Sequence, residues 1–489
     1  MAVPATAVVT GSVYQVHGGE VGYMPTTSKF PRHVLLAVIV AVGVGSAPGL
    51  GQGESKLTAS DAEAYDDFGC SVGLSGDTAL VGAAYDDDNG ASSGSAYIFE
   101  RIGGVWTEVA KLTASDGAPD DVFGAFVGLC GDMALVGAPY DDDNGRSSGS
   151  AYIFERIDGV WVQTAKLTPG EGVAYDWFGG LVALSGDTAL VGAPGDDDKG
   201  EESGAAYIFA KVGGVWTEVA KLAATDGAAE DYFGSSVSLS GDTALVGAYA
   251  HDDNGSDSGS AYVFERDQGG PDNWGQLAKL TASDGAPGDY FGYEVALSGD
   301  AALVGAIADD ENGGSAYVFE KVAGAWAEVG KLTASDGAAG DGFGGSVALY
   351  GDRALIASVG DDDNGSHSGS AYVFEKLDAG WTEVGKLTAS DGAADDFFAY
   401  SVRLFADTAL VGAPYDDDNG DSSGAAYVFA LCCGDLDGDW DTDHSDLGIL
   451  LADWGCDDPV NGCAGDLNGD DKTDHADLGI LLADWGCGT

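Results

Sequence analysis

Basic residues are scarce in this 489-residue chain: 20 Lys and Arg stand against 81 Asp and Glu, a formal net charge of −61. A field of that sign repels nucleic acid and anionic membranes and attracts cations, so no nucleic-acid partner is expected. Long apolar runs are lacking too. The one exception, Val34–Val44, is too short to cross a bilayer comfortably. Preceded by Lys29, Arg32 and His33 and followed by Gly45-Ser46-Ala47, it has the layout of a secretory signal peptide. Residues 1–53 are therefore expected to be an N-terminal extension and signal peptide, with Met24 as the true start and cleavage within Ala47–Gly53. Export to a secreted or surface location follows, with no membrane span in the mature chain. Cysteine is nearly absent before residue 431. Cys70 and Cys130 occupy non-equivalent positions and read as free, packed thiols, whereas Cys432, Cys433, Cys456, Cys463 and Cys487 crowd the C-terminal segment. That clustering fits disulfide stapling of a small exported unit, with the connectivity left open.

What the chain has instead is repetition. The string KLTASD or a close variant begins at Lys56, Lys111, Lys166, Lys221, Lys279, Lys331 and Lys386. Between these markers, apolar stretches of period two alternate with Gly, Asp and Asn turns, which gives four short strands per unit and no helix. Seven such units predict an all-β, seven-bladed β-propeller over residues 54–430. The ends of the repeat region strengthen this reading. The region opens on a lone fourth strand at Lys56–Ser60 and stops after a third strand at Ala425–Ala430. One blade is thus expected to be completed by both termini, which closes the ring and removes its exposed edges.

The recurring Phe-Gly (Phe68-Gly69, Phe123-Gly124, Phe178-Gly179, Phe233-Gly234, Phe291-Gly292, Phe343-Gly344) precedes Leu-Val-Gly-Ala-Pro at Leu135–Pro139, Leu190–Pro194 and Leu410–Pro414. This pattern resembles the FG-GAP repeat of integrin α-subunit propellers and their bacterial relatives, over about three quarters of the chain. The resemblance implies a recognition or adhesion role. It does not carry over the integrin calcium loops, which lie between the first and second strands of a blade. Here that link is a tight turn such as Ser75-Gly76-Asp77.

The acids sit elsewhere. One set joins strands two and three, as in Asp86–Gly90, and offers Asp86, Asp88, Asp141, Asp143, Asp196, Asp198, Asp361, Asp363, Asp416 and Asp418. A second set lies between blades, as in Asp116 with Asp120-Asp121. In an up-and-down blade both connections emerge on one face, so that face should be ringed by carboxylates. Three readings fit such crowding: ordered Ca²⁺ shared by the oxygens, a solvated acidic rim, or a surface for a basic partner. The recurring Trp106, Trp161, Trp216, Trp274, Trp326 and Trp381 are expected in the core between blades rather than stacked on sugars. Among deviations from the repeat, Glu294 and Arg403 fall nearest the channel and are the best candidates for a special role.

Residues 431–489 hold a second duplication, GDLDGDWDTDHSDLGILLADWGC and GDLNGDDKTDHADLGILLADWGC. Asp435, Asp437, Asp439, Asp441, Asp443 and Asp446, and in the second copy Asp466, Asn468, Asp470, Lys472, Asp474 and Asp477, fall at positions 1, 3, 5, 7, 9 and 12 of a calcium loop. Asp441 and Lys472 need offer only their carbonyls. Each loop runs into an apolar stripe at helical spacing: Leu447, Leu450, Leu451 and Trp454, and Leu478, Leu481, Leu482 and Trp485. A loop with an exit helix, duplicated, resembles the type I dockerin module, a small α-helical paired calcium-loop unit. That resemblance implies a cohesin-like partner. Trp440 and Asp471 depart from the usual Gly at position 6, and the helices lack the usual basic residues.

Together these features describe a secreted, non-catalytic, calcium-binding recognition protein. Its propeller face would hold a protein or glycan, and its tail would attach it to a scaffold. The alternatives are an exported polysaccharide-degrading enzyme tethered by the same tail, or a structural component of a surface or matrix.

Overall fold

The computed structural model describes residues 53–431 except 269, 271, 378 and 379, and, in the C-terminal region, residues 444–452, 454, 472, 473, 478 and 481. The segment expected to be a signal peptide and most of the expected paired loops lie outside the described residues. Residues 53–431 form seven four-stranded antiparallel sheets, one per repeat. In the first blade the strands are Phe68–Ser75, Thr78–Ala83, Ser95–Ile102 and Val105–Leu112. A two-residue turn, Gly76-Asp77, joins the first pair, with Gly76 at φ 57 as such a hairpin requires.

The seventh blade is built from both ends of the repeat region. Strands Ser401–Phe405, Thr408–Ala413 and Ala425–Ala430 come from its end, and Gly53–Leu57 from its beginning. Lys56 pairs with Tyr427 and Leu57 with Ala426, so the expected closure is present and leaves no open sheet edge between the first and last units. The core lies between neighbouring blades. One cluster joins Leu57, Leu410 and Val428 of the seventh blade to Phe68, Val81 and Tyr97 of the first. Trp106 packs against it, and the other five repeat tryptophans pack against equivalent clusters.

Two glycines explain the motif that marks each repeat. The Gly of Leu-Val-Gly-Ala in one blade lies directly under the Phe-Gly backbone of the next. A Cβ on Gly137 would sit 2.1 Å from the Gly179 carbonyl oxygen, and one on Gly124 2.1 Å from Ser95 O. Only a hydrogen side chain lets the sheets approach this closely. In each of the six continuous blades the fourth strand carries a bulge. Between Ile98/Ala110 and Phe99/Glu108, for example, Val109 is unpaired and turned outward. Such a bulge twists the outer edge away from pairing with other chains.

One loop departs from the repeat. The connection in the fifth blade is three residues shorter than Asp86–Gly94, and Asp309–Asn312 closes it as a single helical turn. In the C-terminal region a helix spans His444–Ala452, where the apolar periodicity predicts one. Leu450 and its counterpart Leu481 are buried, but Leu451 and Trp454 point outward, so only part of the expected stripe is covered.

Candidate functional site

Within each blade the loop between strands two and three stands beside the connection that enters the next blade. Asp120, Val122 and Phe123 donate backbone N–H groups to the carbonyls of Ala91, Ser92 and Ser93 at 2.8, 3.1 and 3.0 Å. Both acidic sets therefore share one face, as the strand order requires. The connecting loop is also stapled to the following blade. Ser60 N and Oγ donate to the Glu108 carboxylate at 2.8 and 2.9 Å, and Ser283 to Glu328, Ser335 to Glu383 and Ser390 to Glu54 repeat the staple.

The loop carboxylates converge, and a lysine stands at their centre. In the first blade Lys111 Nζ lies 2.8 Å from Asp61, 2.8 Å from Asp86 and 2.6 Å from Asp88. Lys166 meets Asp116, Asp141 and Asp143 at 2.9, 2.8 and 2.6 Å. Lys221 meets Asp196 and Asp198 at 2.7 and 2.5 Å, and Lys386 meets Asp336, Asp361 and Asp363 at 2.9, 2.9 and 2.6 Å. Lys331 closes on Asp284, Asp309 and Asp310. Across the ring closure, Lys56 reaches Asp391, Asp416 and Asp418 at 2.8, 2.8 and 2.6 Å. All ten loop aspartates singled out as calcium ligands thus contact an ammonium, at the place where a divalent ion would gather the same oxygens.

A buried tyrosine completes six of these boxes among the described residues. Tyr97 Oη is 2.9 Å from Asp61 and 2.8 Å from Asp86, and Tyr427 Oη is 2.9 Å from Asp391 and 2.7 Å from Asp416. The buried Asp86 also accepts the Asp88 N–H at 3.0 Å, so little of its hydrogen-bonding capacity is unused. Burial works against the ammonium of Lys111, but hydrogen bonds to Asp61, Asp86 and Asp88 outweigh it and raise its pKa. Asp61 is likewise disfavoured by burial yet held below the usual carboxylate range by Lys111 and Tyr97.

A second row of acids behaves oppositely. Burial pushes Asp66, Asp121, Asp176 and Asp396 up to about 6, although each accepts a backbone N–H from three residues earlier. Asp67 rises to about 7, through burial and then the charge of Asp66. Sequence reasoning missed Asp67. Its signal was there: the other repeats carry Val122, Trp177, Tyr232, Tyr290, Gly342 and Phe397 at this position.

The same face is rich in aromatics. Tyr65, Tyr85, Tyr140, Tyr175 and Tyr400 are exposed on its loops. Tyr232 stacks on Tyr249 with ring centroids 5.4 Å apart, and Phe397 meets Tyr415 edge-on at 5.2 Å. In the centre, the first strands enclose a cavity of about 150 Å³ lined by Gly73, Gly128, Ala183, Ser238, Ala296, Ala348 and Arg403. Arg403 is the one charged side chain of that lining, and its Nη1 donates to Val402 O at 2.8 Å. Burial raises Glu294 to about 7 against the opposing influence of Arg403 and the Ser236 hydroxyl. Of the expected C-terminal ligands only Lys472 is described, as an exposed residue in a β-bridge. Asp435, Asp437, Asp439, Asp441, Asp443, Asp446, Asp466, Asn468, Asp470, Asp474 and Asp477 lie outside the described residues. Cys70 and Cys130 are free thiols. Cys130 takes the place of the turn serine that links neighbouring blades, accepting the Gly186 N–H at 3.4 Å.

Comparison with known proteins agrees with this architecture. A 116-residue stretch is 32% identical to integrin alpha-7 of Mus musculus and 31% identical to integrin alpha-7 of Rattus norvegicus. Each match covers 22% of this chain, and it spans 9% and 10% of those two proteins. The family model for the FG-GAP repeat matches seven times, at residues 52–99, 106–154, 161–209, 216–264, 274–319, 326–374 and 381–429. Most of these segments begin in the fourth strand of one blade and end in the third strand of the next, the phase that ring closure demands. The chain belongs to the FG-GAP repeat family.

Proposed function

We propose that the protein is a secreted, non-catalytic recognition protein that holds a protein ligand on the acidic, tyrosine-bearing face of its propeller. The observation that carries this reading is the combination on one face of fixed carboxylate boxes with exposed Tyr65, Tyr85, Tyr140, Tyr175 and Tyr400. Tyrosine supplies rigid, amphipathic contact area at low entropic cost, and the carboxylates steer a basic partner surface onto it. The coarse adhesion role fits the family. The tryptophans that could have stacked on sugars are committed to packing between blades, which favours protein over glycan as the ligand.

In this reading the propeller boxes are structural, because each already contains its own cation. Calcium then belongs to the C-terminal loops, whose ligand spacing fits a hard, oxygen-preferring ion. That segment would attach the protein to a cohesin-like domain, with the outward Leu451 offered as an apolar contact. Among the described residues no helix is long and apolar enough to cross a membrane.

The test is to screen the full-length protein, with calcium and with chelator, against arrays of basic and acidic proteins and of glycans. Capture of basic proteins that weakens with salt and falls at least about tenfold in a Tyr85→Ala/Tyr400→Ala variant is expected. Glycan turnover abolished by Glu294→Gln or Arg403→Gln would replace this reading with the enzymatic one.

A further inference from the structure

The fourth blade breaks the pattern of its neighbours at one residue. Where the other boxes place a buried aspartate, Asp86 in the first blade for example, this blade has His251, which is itself only 8% exposed. The remainder of the box is kept: Lys279 Nζ lies 2.7 Å from Asp226, contacts Asp253, and is 3.4 Å from His251 Nε2. The substitution leaves buried polar atoms unused. Among the described residues His251 Nδ1 has no hydrogen-bond partner; its nearest carboxylate oxygen, on Asp253, is 3.6 Å away. Tyr262, which is fully buried, corresponds to the tyrosines that hydrogen-bond one or two carboxylates in the other blades. Its hydroxyl lies near Asp226 but outside hydrogen-bonding geometry.

We propose that Asp226, His251 and Asp253 form a site for a transition-metal ion of the Zn²⁺ type, with Asp231 as a fourth ligand and the ammonium of Lys279 displaced into solvent. The candidate donor atoms of the first three all lie within 4.8 Å of one another. His251 Nε2 is 3.9 Å from Asp226 Oδ2 and 3.8 Å from the buried Asp231 Oδ2. A tetrahedral ion with bonds of about 2.0–2.2 Å separates its donors by about 3.3–3.6 Å, so His251 Nε2 and the Asp226 and Asp231 oxygens need close by only a few tenths of an ångström, while the exposed Asp253 side chain turns in to join them. Imidazole with carboxylates selects Zn²⁺ and its neighbours in the series over Ca²⁺, which prefers an all-oxygen shell.

The neighbouring boxes show what sets this blade apart among the described residues. At Asp391, Asp416 and Asp418 the same spacing occurs, but there Lys56 bonds all three carboxylates and Tyr427 bonds two of them. In the fourth blade an imidazole ring replaces one of the carboxylates that hold the lysine. Its flexible four-carbon stem, already partly exposed, can swing outward while a divalent charge takes its place. A bound ion would use His251 Nε2, the ring nitrogen that faces Asp226 and Asp231.

The experiment titrates the chelator-stripped full-length chain with ZnCl₂ in excess CaCl₂, comparing wild type with His251→Asp, which rebuilds the box of the other blades. The expected result is one Zn²⁺ equivalent fewer in the variant. Co²⁺ substitution should likewise give a tetrahedral absorption band that the variant lacks, and Lys279→Gln should tighten binding about tenfold. Comparing variant with wild type separates this site from any zinc bound by the C-terminal Cys and His residues. Metal-free thermal unfolding of His251→Asp checks that it folds; should it not, His251→Asn is read in the same way. Equal Zn²⁺ equivalents in wild type and folded variant would overturn the proposal.

Discussion

Each repeat lysine is the residue on which a box depends. Lys111 side-chain exposure is 18% and that of Asp86 is 5%, so removing the ammonium strands a buried carboxylate. Lys111→Met is expected to cost about 2–3 kcal/mol, below the full value for a deeply buried pair because water still reaches the lysine. Urea unfolding of the full-length protein measures it, and a change under about 0.5 kcal/mol would remove the box from the stability account.

Protons act on the two rows of acids in opposite senses. Asp61, Asp116, Asp284, Asp336, Asp361 and Asp391 are held below their ordinary range despite burial, by lysine and, in most boxes, tyrosine. Their contribution is present above the unfolded value of about 4 and lost as pH falls below it. Asp66, Asp121, Asp176 and Asp396, near 6, and Asp67 and Glu294, near 7, are raised mainly by burial. Their contribution is fully present below about pH 4 and lost as pH rises through 6 to 7. Stability should therefore peak at about pH 4–5, and Asp67→Asn should flatten part of the decline above it. Urea midpoints at about pH 3, 5 and 8 decide this; a steady rise from about pH 4 to 8 would contradict it.

At the scale of elements, the contacts between first strands set the tolerance to side chains. Gly124, at φ 94 with a backbone oxygen 2.1 Å from any added Cβ, should not accept alanine without a loss of about 2–4 kcal/mol. Gly76→Ala, in an open turn at φ 57, should cost only about 1 kcal/mol. The converse case is natural: the seventh unit has Ala399 where the others have the Phe-Gly glycine, and it adopts φ 69. Ala399→Gly should stabilise the protein by about 0.5–1 kcal/mol, read as a rise in Tm. These strand positions were legible because the period-two pattern and the turn residues recur seven times. The short helical turn at Asp309–Asn312 was not, since it arises from a three-residue shortening that leaves the Asp-Asn-Gly signal intact.

For the whole molecule, closure and metal dependence separate the parts. Lys56 and Tyr427 belong to one box, although about 370 residues separate them. Deleting 53–57 should expose the edge of Ala425–Ala430, empty the box of Asp391, Asp416 and Asp418, and give an aggregation-prone protein with a lower Tm. If calcium belongs to the C-terminal loops, titration calorimetry should find two sites, and chelator should leave the propeller's unfolding transition in place. More than two calcium sites would reassign metal to the propeller loops.

The sequence by itself determined the number of blades, their strand order, the closure at Lys56 and the face that carries the acids, because all of these follow from phase and period within a repeat. Only the tertiary structure showed what the acids contact. Asp86 and Lys111 come from one blade and Asp61 from the connection before it. Nothing in local patterning says that an ammonium will stand where two such loops meet. Charge alone reads as a call for an external ion; the folded backbone supplies an internal one, and leaves the box of His251 as the exception.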